Sequence, residues 1–178
     1  MVILSLCTAN LGVKSAVRTQ LFPGYPKPEF IGLNGAGGFV KKEDIPPNVP
    51  DEILHSMNFM FGKRAFFGIA PASDGVPPHQ YKTKLTKGLM WWTNWVIPEE
   101  YTPEQMRDTS DVKAHAIKLF ADRKMMYPCM ELINATSLYI KQSIFDIRSL
   151  PAWSKSRACL IGDAAHAVPS HSLALSLT

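Results

Sequence analysis

The sequence predicts a mixed α/β (α+β) fold. Branched and aromatic runs of strand character fill the first half and return near the end, and one stretch between them carries helical spacing. The third observation is size: 178 residues, 46% hydrophobic and 19% charged, describe a globular chain long enough for one ordinary core.

Val2–Leu6 is a short apolar run rich in branched residues and reads as a buried strand. Asn10-Leu11-Gly12 breaks it, and Val13–Phe22 reads as a short helix or turn carrying Lys14 and Arg18. Pro23, Pro26 and Pro28 then enforce extended chain. Glu29–Val40 (EFIGLNGAGGFV) is a glycine-rich strand whose glycines allow a bulge or a close backbone approach. Beyond the loop marked by Pro46, Pro47 and Pro50, Phe59–Phe61 and Ala65–Ala70 form two strands, with a tight turn at Gly62-Lys63-Arg64. Ser73–Pro78 is a turn-rich loop. Gly88–Ile97 (GLMWWTNWVI) is the most strand-like segment, with Trp91, Thr93 and Trp95 on one face and Trp92, Asn94 and Val96 on the other.

The pattern then switches. Thr102-Pro103-Glu104-Gln105 has the capping-box form with proline at the first helical position. Val112, Ala116, Leu119 and Phe120 continue the helical spacing to about Met125. Pro128–Leu138 is a second, shorter helix, Tyr139–Ile147 a strand, and Leu150–Trp153 a turn. Ala158–Ile161, a continuous apolar run, is expected to be a strand covered on both faces.

A net charge of +4 comes from lysines in small groups, such as Lys41-Lys42 and Lys82, Lys84, Lys87. There is no long basic run or aromatic-interleaved basic stripe, so nucleic acid is not an expected partner. Cys7, Cys129 and Cys159 are widely spaced with no C-x-x-C, which fits neither a disulfide framework nor zinc. An intracellular, cytoplasmic chain is the expectation. The opening MVILSLC has no basic n-region and is too short to span a bilayer, so neither a leader nor a membrane partner is expected. Asn134-Ala135-Thr136 has the form of a glycosylation acceptor and, without a secretory signal, reads as chance.

The chemistry concentrates in RACLIGDAAHAVPSHS, residues 157–172. Gly162 permits an abrupt change of direction after the strand. Asp163 then lies at a strand's carboxyl end, where open α/β sheets hold ligands and where a carboxylate can accept hydrogen bonds from sugar or ribityl hydroxyls. Ala164 and Ala165 are small enough to let a ligand lie against the backbone. Pro169 stiffens the loop before a helix starting near Ser170–Ser172, whose N-terminus favours negative charge. On these residues alone a second reading stands beside the first: a turn or capping aspartate above an alanine-rich packing surface.

The run R-A-C-L-I-G-D-A-A-H-A-V-P, preceded by L-P-A-W-S-K-S, resembles the second flavin-binding motif of the class A FAD-dependent aromatic monooxygenases of the salicylate hydroxylase type. A-N-L-G-V-K-S-A-V-R, residues 9–18, is similar to the family's G-A-D-G-x-x-S-x-V-R segment, with Gly12, Ser15, Val17 and Arg18 in register and Leu11 in place of its aspartate. FFGIAP, GLMWWTN and SIFDIRSLPAW resemble pieces of its substrate domain, an antiparallel sheet over the flavin. The resemblance implies a partial FAD-binding Rossmann-like domain, residues 1–22 and 148–178, and a substrate-binding sheet domain with helices over 23–147.

It also implies cofactor contacts at Gly162, Asp163, Ala164, Pro169 and Ser172, with Asp163 on the ribityl chain and Pro169 beside the flavin ring. His166 is placed beside the same loop as a structural residue, not a metal ligand with Asp163 and His171. No catalytic acid or base is indicated. In that family NAD(P)H reduces FAD, and a flavin C4a-hydroperoxide hydroxylates an aromatic small molecule. Two departures accompany the likeness. No G-x-G-x-x-G turn for the FAD pyrophosphate occurs in this sequence, and Ser172 and Ala174 stand where the family has glycines. A partial chain is therefore expected, with a degenerate, non-enzymatic derivative that binds no FAD as the alternative. Two residue roles stay open: Trp91, Trp92 and Trp95 either line an aromatic cavity or pack a core, and Arg18 either meets a cofactor phosphate or packs on the surface.

Overall fold

A computed structural model describes residues 12–61, 66–72, 87–121, 127–156 and 158–167. The chain divides into two units, one formed by Met1–Ile31 with Ile144–Thr178 and the other by Gly32–Ser143. The predicted strand Val2–Leu6, the turn Gly62–Arg64 and the loop Ser73–Pro78 lie outside the described residues.

The second unit is built on an antiparallel sheet. Its strands are β1 (Glu29–Lys41), β2 (Asn58–Phe61), β3 (Phe66–Ala72), β4 (Gly88–Val96) and β5 (Leu138–Asp146), in the order β2-β3-β4-β1-β5. Both β1 and β5 run across the boundary between the units. Antiparallel register sets Leu89 opposite Val40, Trp91 opposite Gly38, Thr93 opposite Ala36 and Trp95 opposite Asn34, so all eight share one face. The alternation in GLMWWTNWVI predicts the shared face, and the structure shows that this face is the buried one.

Three helices cover it: α2 (Asp51–His55), α4 (Val112–Ala121) and α5 (Cys129–Ala135). Val112, Ala116 and Phe120, at helical spacing, join Leu132 and Ile133 against Phe67, Ile69 and Trp91 in one core. Phe67 stacks on Trp91 at 5.2 Å and meets Phe120 edge-on at 5.4 Å. Each such side chain, fully buried, contributes about 1.5–3 kcal/mol. Trp91 Nε1 donates to Thr136 Oγ1 at 2.7 Å, so its one polar atom is satisfied inside the core.

The capping box forms as the sequence predicts. Thr102 accepts from the Gln105 amide and Gln105 accepts from the Thr102 amide, opening α3 (Pro103–Arg107). Met125 lies outside the described residues, however, and the helix is not continuous from Pro103 to Ala121. It stops at Asp108, whose carboxylate accepts from the Ser110 amide at 3.0 Å, and the chain restarts as α4 at Val112. Asp108-Thr109-Ser110 offers the backbone local side-chain partners in place of helical carbonyls, a competition that apolar spacing does not reveal.

The first unit holds α1 (Ala16–Leu21), the hairpin of β6 (Ser154–Lys155) and β7 (Ala158–Cys159), and α6 (Asp163–His166). Of the predicted strand Ala158–Ile161, the described residues pair Ala158 and Cys159 alone, antiparallel to Lys155 and Ser154. Leu160 is buried whereas Ile161 is 54% exposed.

Candidate functional site

In the first unit the two resembling segments meet. Ser15 caps α1, its hydroxyl accepting from the Arg18 amide at 3.2 Å, and Val17, Leu21 and Phe22 pack on Leu160, Ala164 and Ala165. Arg18 is 4% exposed. Its Nη1 donates to the Ala164 carbonyl at 3.1 Å and its Nη2 to the Val13 carbonyl. Of the two readings left open for Arg18, burial removes the surface one, and two of its five donors are held by backbone carbonyls. Burial without a carboxylate partner among the described residues pulls its pKa down from the ordinary arginine value.

Gly162 has φ 58°, a left-handed conformation that glycine adopts at no steric cost. Its carbonyl accepts from the amides of Ala165 at 2.9 Å and His166 at 3.1 Å, closing the single turn of α6. Asp163 is the first residue of that turn. Its carboxylate is exposed, and no hydrogen bond or ion pair engages it among the described residues. Ala164 and Ala165 lie beneath it, 0% and 2% exposed. Pro169 and Ser172 lie outside the described residues.

Beside the turn is a cavity of about 740 Å³ lined by Asp146–Trp153 and Ala165–Ala167. Trp153 and His166 face each other across 5.2 Å on its wall. Arg148 pairs with Glu29 at 2.8 Å, and Tyr25 donates its hydroxyl to the Ser149 carbonyl. Sequence reasoning read Leu150–Trp153 only as a turn; the tryptophan after Leu-Pro-Ala was the available signal for a wall.

In the second unit the face of the sheet opposite the helices carries Phe59, Phe66, Gly68, Met90, Trp92, Asn94 and Ile140. Trp92 lies over Gly68, where an added Cβ would sit 2.3 Å from the indole. Phe59 meets the Trp92 ring edge-on at 5.6 Å. Phe59, Met90 and Ile140 are exposed, and the Asn94 amide nitrogen is buried without a partner among the described residues. The three tryptophans therefore separate: Trp91 packs in the core, Trp95 stacks on His115 at 4.3 Å, and Trp92 floors the open face.

Solved structures provide the comparison. HpxO of Klebsiella pneumoniae, complexed with FAD and uric acid, superposes with a TM-score of 0.59 at 20% identity, over 87% of this chain and 34% of its own. The 2,6-dihydroxypyridine-3-hydroxylase of Arthrobacter nicotinovorans gives 0.58 at 14% identity, over 92% and 43%. A salicylate hydroxylase substrate complex gives 0.57 at 19% identity, over 90% and 39%. The fold is that of the FAD-dependent aromatic hydroxylases. This agrees with the fold expected from the GDAAH run and the sheet segments, and the chain spans well under half the length of each of these structures. No family model and no curated protein matches the chain. Among the described residues no helix is long and apolar enough to cross a membrane.

Proposed function

We propose that this chain is part of an FAD-dependent monooxygenase that hydroxylates an aromatic small molecule with NAD(P)H as reductant. The observation that carries the reading is Asp163: an exposed carboxylate with no partner among the described residues, held on a left-handed glycine at the start of a buried alanine turn. The residues present fit the ribityl end of FAD. Asp163 would accept hydrogen bonds from the ribityl hydroxyls, charge-assisted and hence stronger than neutral ones. Among the described residues nothing lies within 4 Å of where a Cβ on Gly162 would stand, which suits close approach of a ligand to its backbone. Ala164 backs the turn, while Pro169 and Ser172 remain proposed contacts from the sequence.

Bound flavin would supply the redox and oxygen chemistry; the protein's part is to bind and orient. The open face of the sheet suits a flat aromatic substrate, since Trp92 and Phe59 offer ring faces and edges. The Asn94 amide, buried without a protein partner among the described residues, is a donor for a ring substituent. HpxO with uric acid and the salicylate hydroxylase complex show this fold accommodating flat, oxygen-substituted rings.

The direct test adds FAD to the purified chain and follows flavin fluorescence and the visible absorbance bands. Quenching with a band shift is expected. An unchanged spectrum at high protein concentration would sink the proposal and favour the derivative that binds no FAD.

A further inference from the structure

Arg18 is the buried cation that the proposed chemistry leaves unused. It is 4% exposed, and among the described residues no carboxylate offsets its charge. Removing a guanidinium from water to bind only carbonyl oxygens is costly unless those bonds are needed. What they hold is specific. Ala164 is fully buried, and a carbonyl in a one-turn helix has no partner within that helix. A buried carbonyl must still be satisfied, and Arg18 Nη1 supplies the donor from 146 residues away along the chain. Its Nη2 holds the Val13 carbonyl, while its own amide is held by the Ser15 cap. One rigid fork thus ties the segment before α1 to the Ala164–Ala165 peptide, one residue beyond Asp163.

We infer that Arg18 is a positioning residue: it fixes the Asp163–His166 turn and so aims the Asp163 carboxylate. The inference rests on the proposed ribityl role of Asp163 for its consequence, but its structural half stands apart from any ligand. The Gly162 carbonyl accepts from both the Ala165 and His166 amides, so those two amides report whether the turn is closed. Lysine cannot replace the fork, because a single ammonium lacks two donors in fixed planar geometry.

The experiment compares Arg18→Met, Arg18→Lys and the unsubstituted chain in two measurements. In amide hydrogen exchange, Arg18→Met should speed Ala165 and His166 by about tenfold or more. Leu89 and Trp91, in the other unit, should be unchanged, which also reports that the sheet is folded. In FAD titrations Arg18→Met should weaken binding roughly tenfold in the native background and not at all beside Asp163→Asn, because its effect travels through that carboxylate. Arg18→Lys should recover part of both. Unchanged exchange overturns the positioning role. An equal loss of affinity with and without the Asp163 carboxylate overturns the route through Asp163. Failure of the unsubstituted chain to bind FAD overturns the flavin reading, while exchange still decides whether Arg18 holds the turn.

Discussion

At Gly162-Asp163 a left-handed glycine hands the chain to a one-turn helix, and the acid that begins it engages no protein partner among the described residues. Replacing it should therefore cost little in folding and much in binding. Asp163→Ala is expected to leave the thermal midpoint nearly unchanged and to raise the FAD dissociation constant roughly 10- to 100-fold, the weight of one or two charged hydrogen bonds. Affinity that survives the substitution intact would remove Asp163 from the site. Cys129 presents the opposite case. It is fully buried beside the Met60 sulfur, at 3.6 Å, and burial pushes its thiol from 9.0 up to about 12. Burial raises Tyr101 and Tyr139 in the same sense.

A raised acid pKa in the folded state means that the stabilisation is whole below about pH 9 and is lost as pH climbs towards 12. The loss attributable to Cys129 is about 1.4 kcal/mol per pH unit in that window. Urea midpoints at about pH 8 and about pH 10 should thus fall further apart in the native chain than in Cys129→Ala. Equal falls would refute the assignment.

Among the elements, β3 and β4 show how a missing side chain shapes a surface. Trp92 lies where Gly68 leaves room, and a methyl there would come within 2.3 Å of the ring. Gly68→Ala should destabilise the sheet unit by about 1–3 kcal/mol and move Trp92 towards water, seen as a red shift of its fluorescence. An unshifted spectrum with full stability would show that the ring is not seated there. Much of this element was legible beforehand. The alternation in GLMWWTNWVI places Trp91, Thr93 and Trp95 on one face, without saying which face is core, and Thr102–Gln105 announces its own cap, because both signals are local.

The strand ending at Ile161 was less legible. An apolar run does not state which segment will pair with it, and among the described residues only the polar hairpin partner did. The break at Asp108–Ser110 hid under helical spacing for a related reason: side-chain bonds to the backbone leave no trace in hydrophobic period. At the site, the GDAAH run marked the turn through its likeness to a family. The guanidinium that holds Ala164 depended on a contact between distant segments, which spacing alone cannot supply.

For the molecule as a whole, the uncovered sheet face sets its behaviour in solution. Phe61, Val96 and Leu138 are 68%, 78% and 61% exposed, with Met57 and Phe59 on or beside the edge strand β2. Exposed apolar surface beside an unpaired strand edge promotes association. Sedimentation velocity should show concentration-dependent self-association that Phe61→Lys reduces; a monomer at every concentration would contradict this. The division into units has a different consequence. One unit is assembled from both ends of the chain, whereas the other is continuous from Gly32 to Ser143. During synthesis the sheet unit can be completed while the other still lacks Arg18's acceptor at Ala164. Closing that pair over so long a separation makes the Asp163–His166 turn late to form relative to the sheet unit. A released chain ending before Gly162 would thus hold the whole sheet unit in its sequence while Arg18 lacked its Ala164 acceptor.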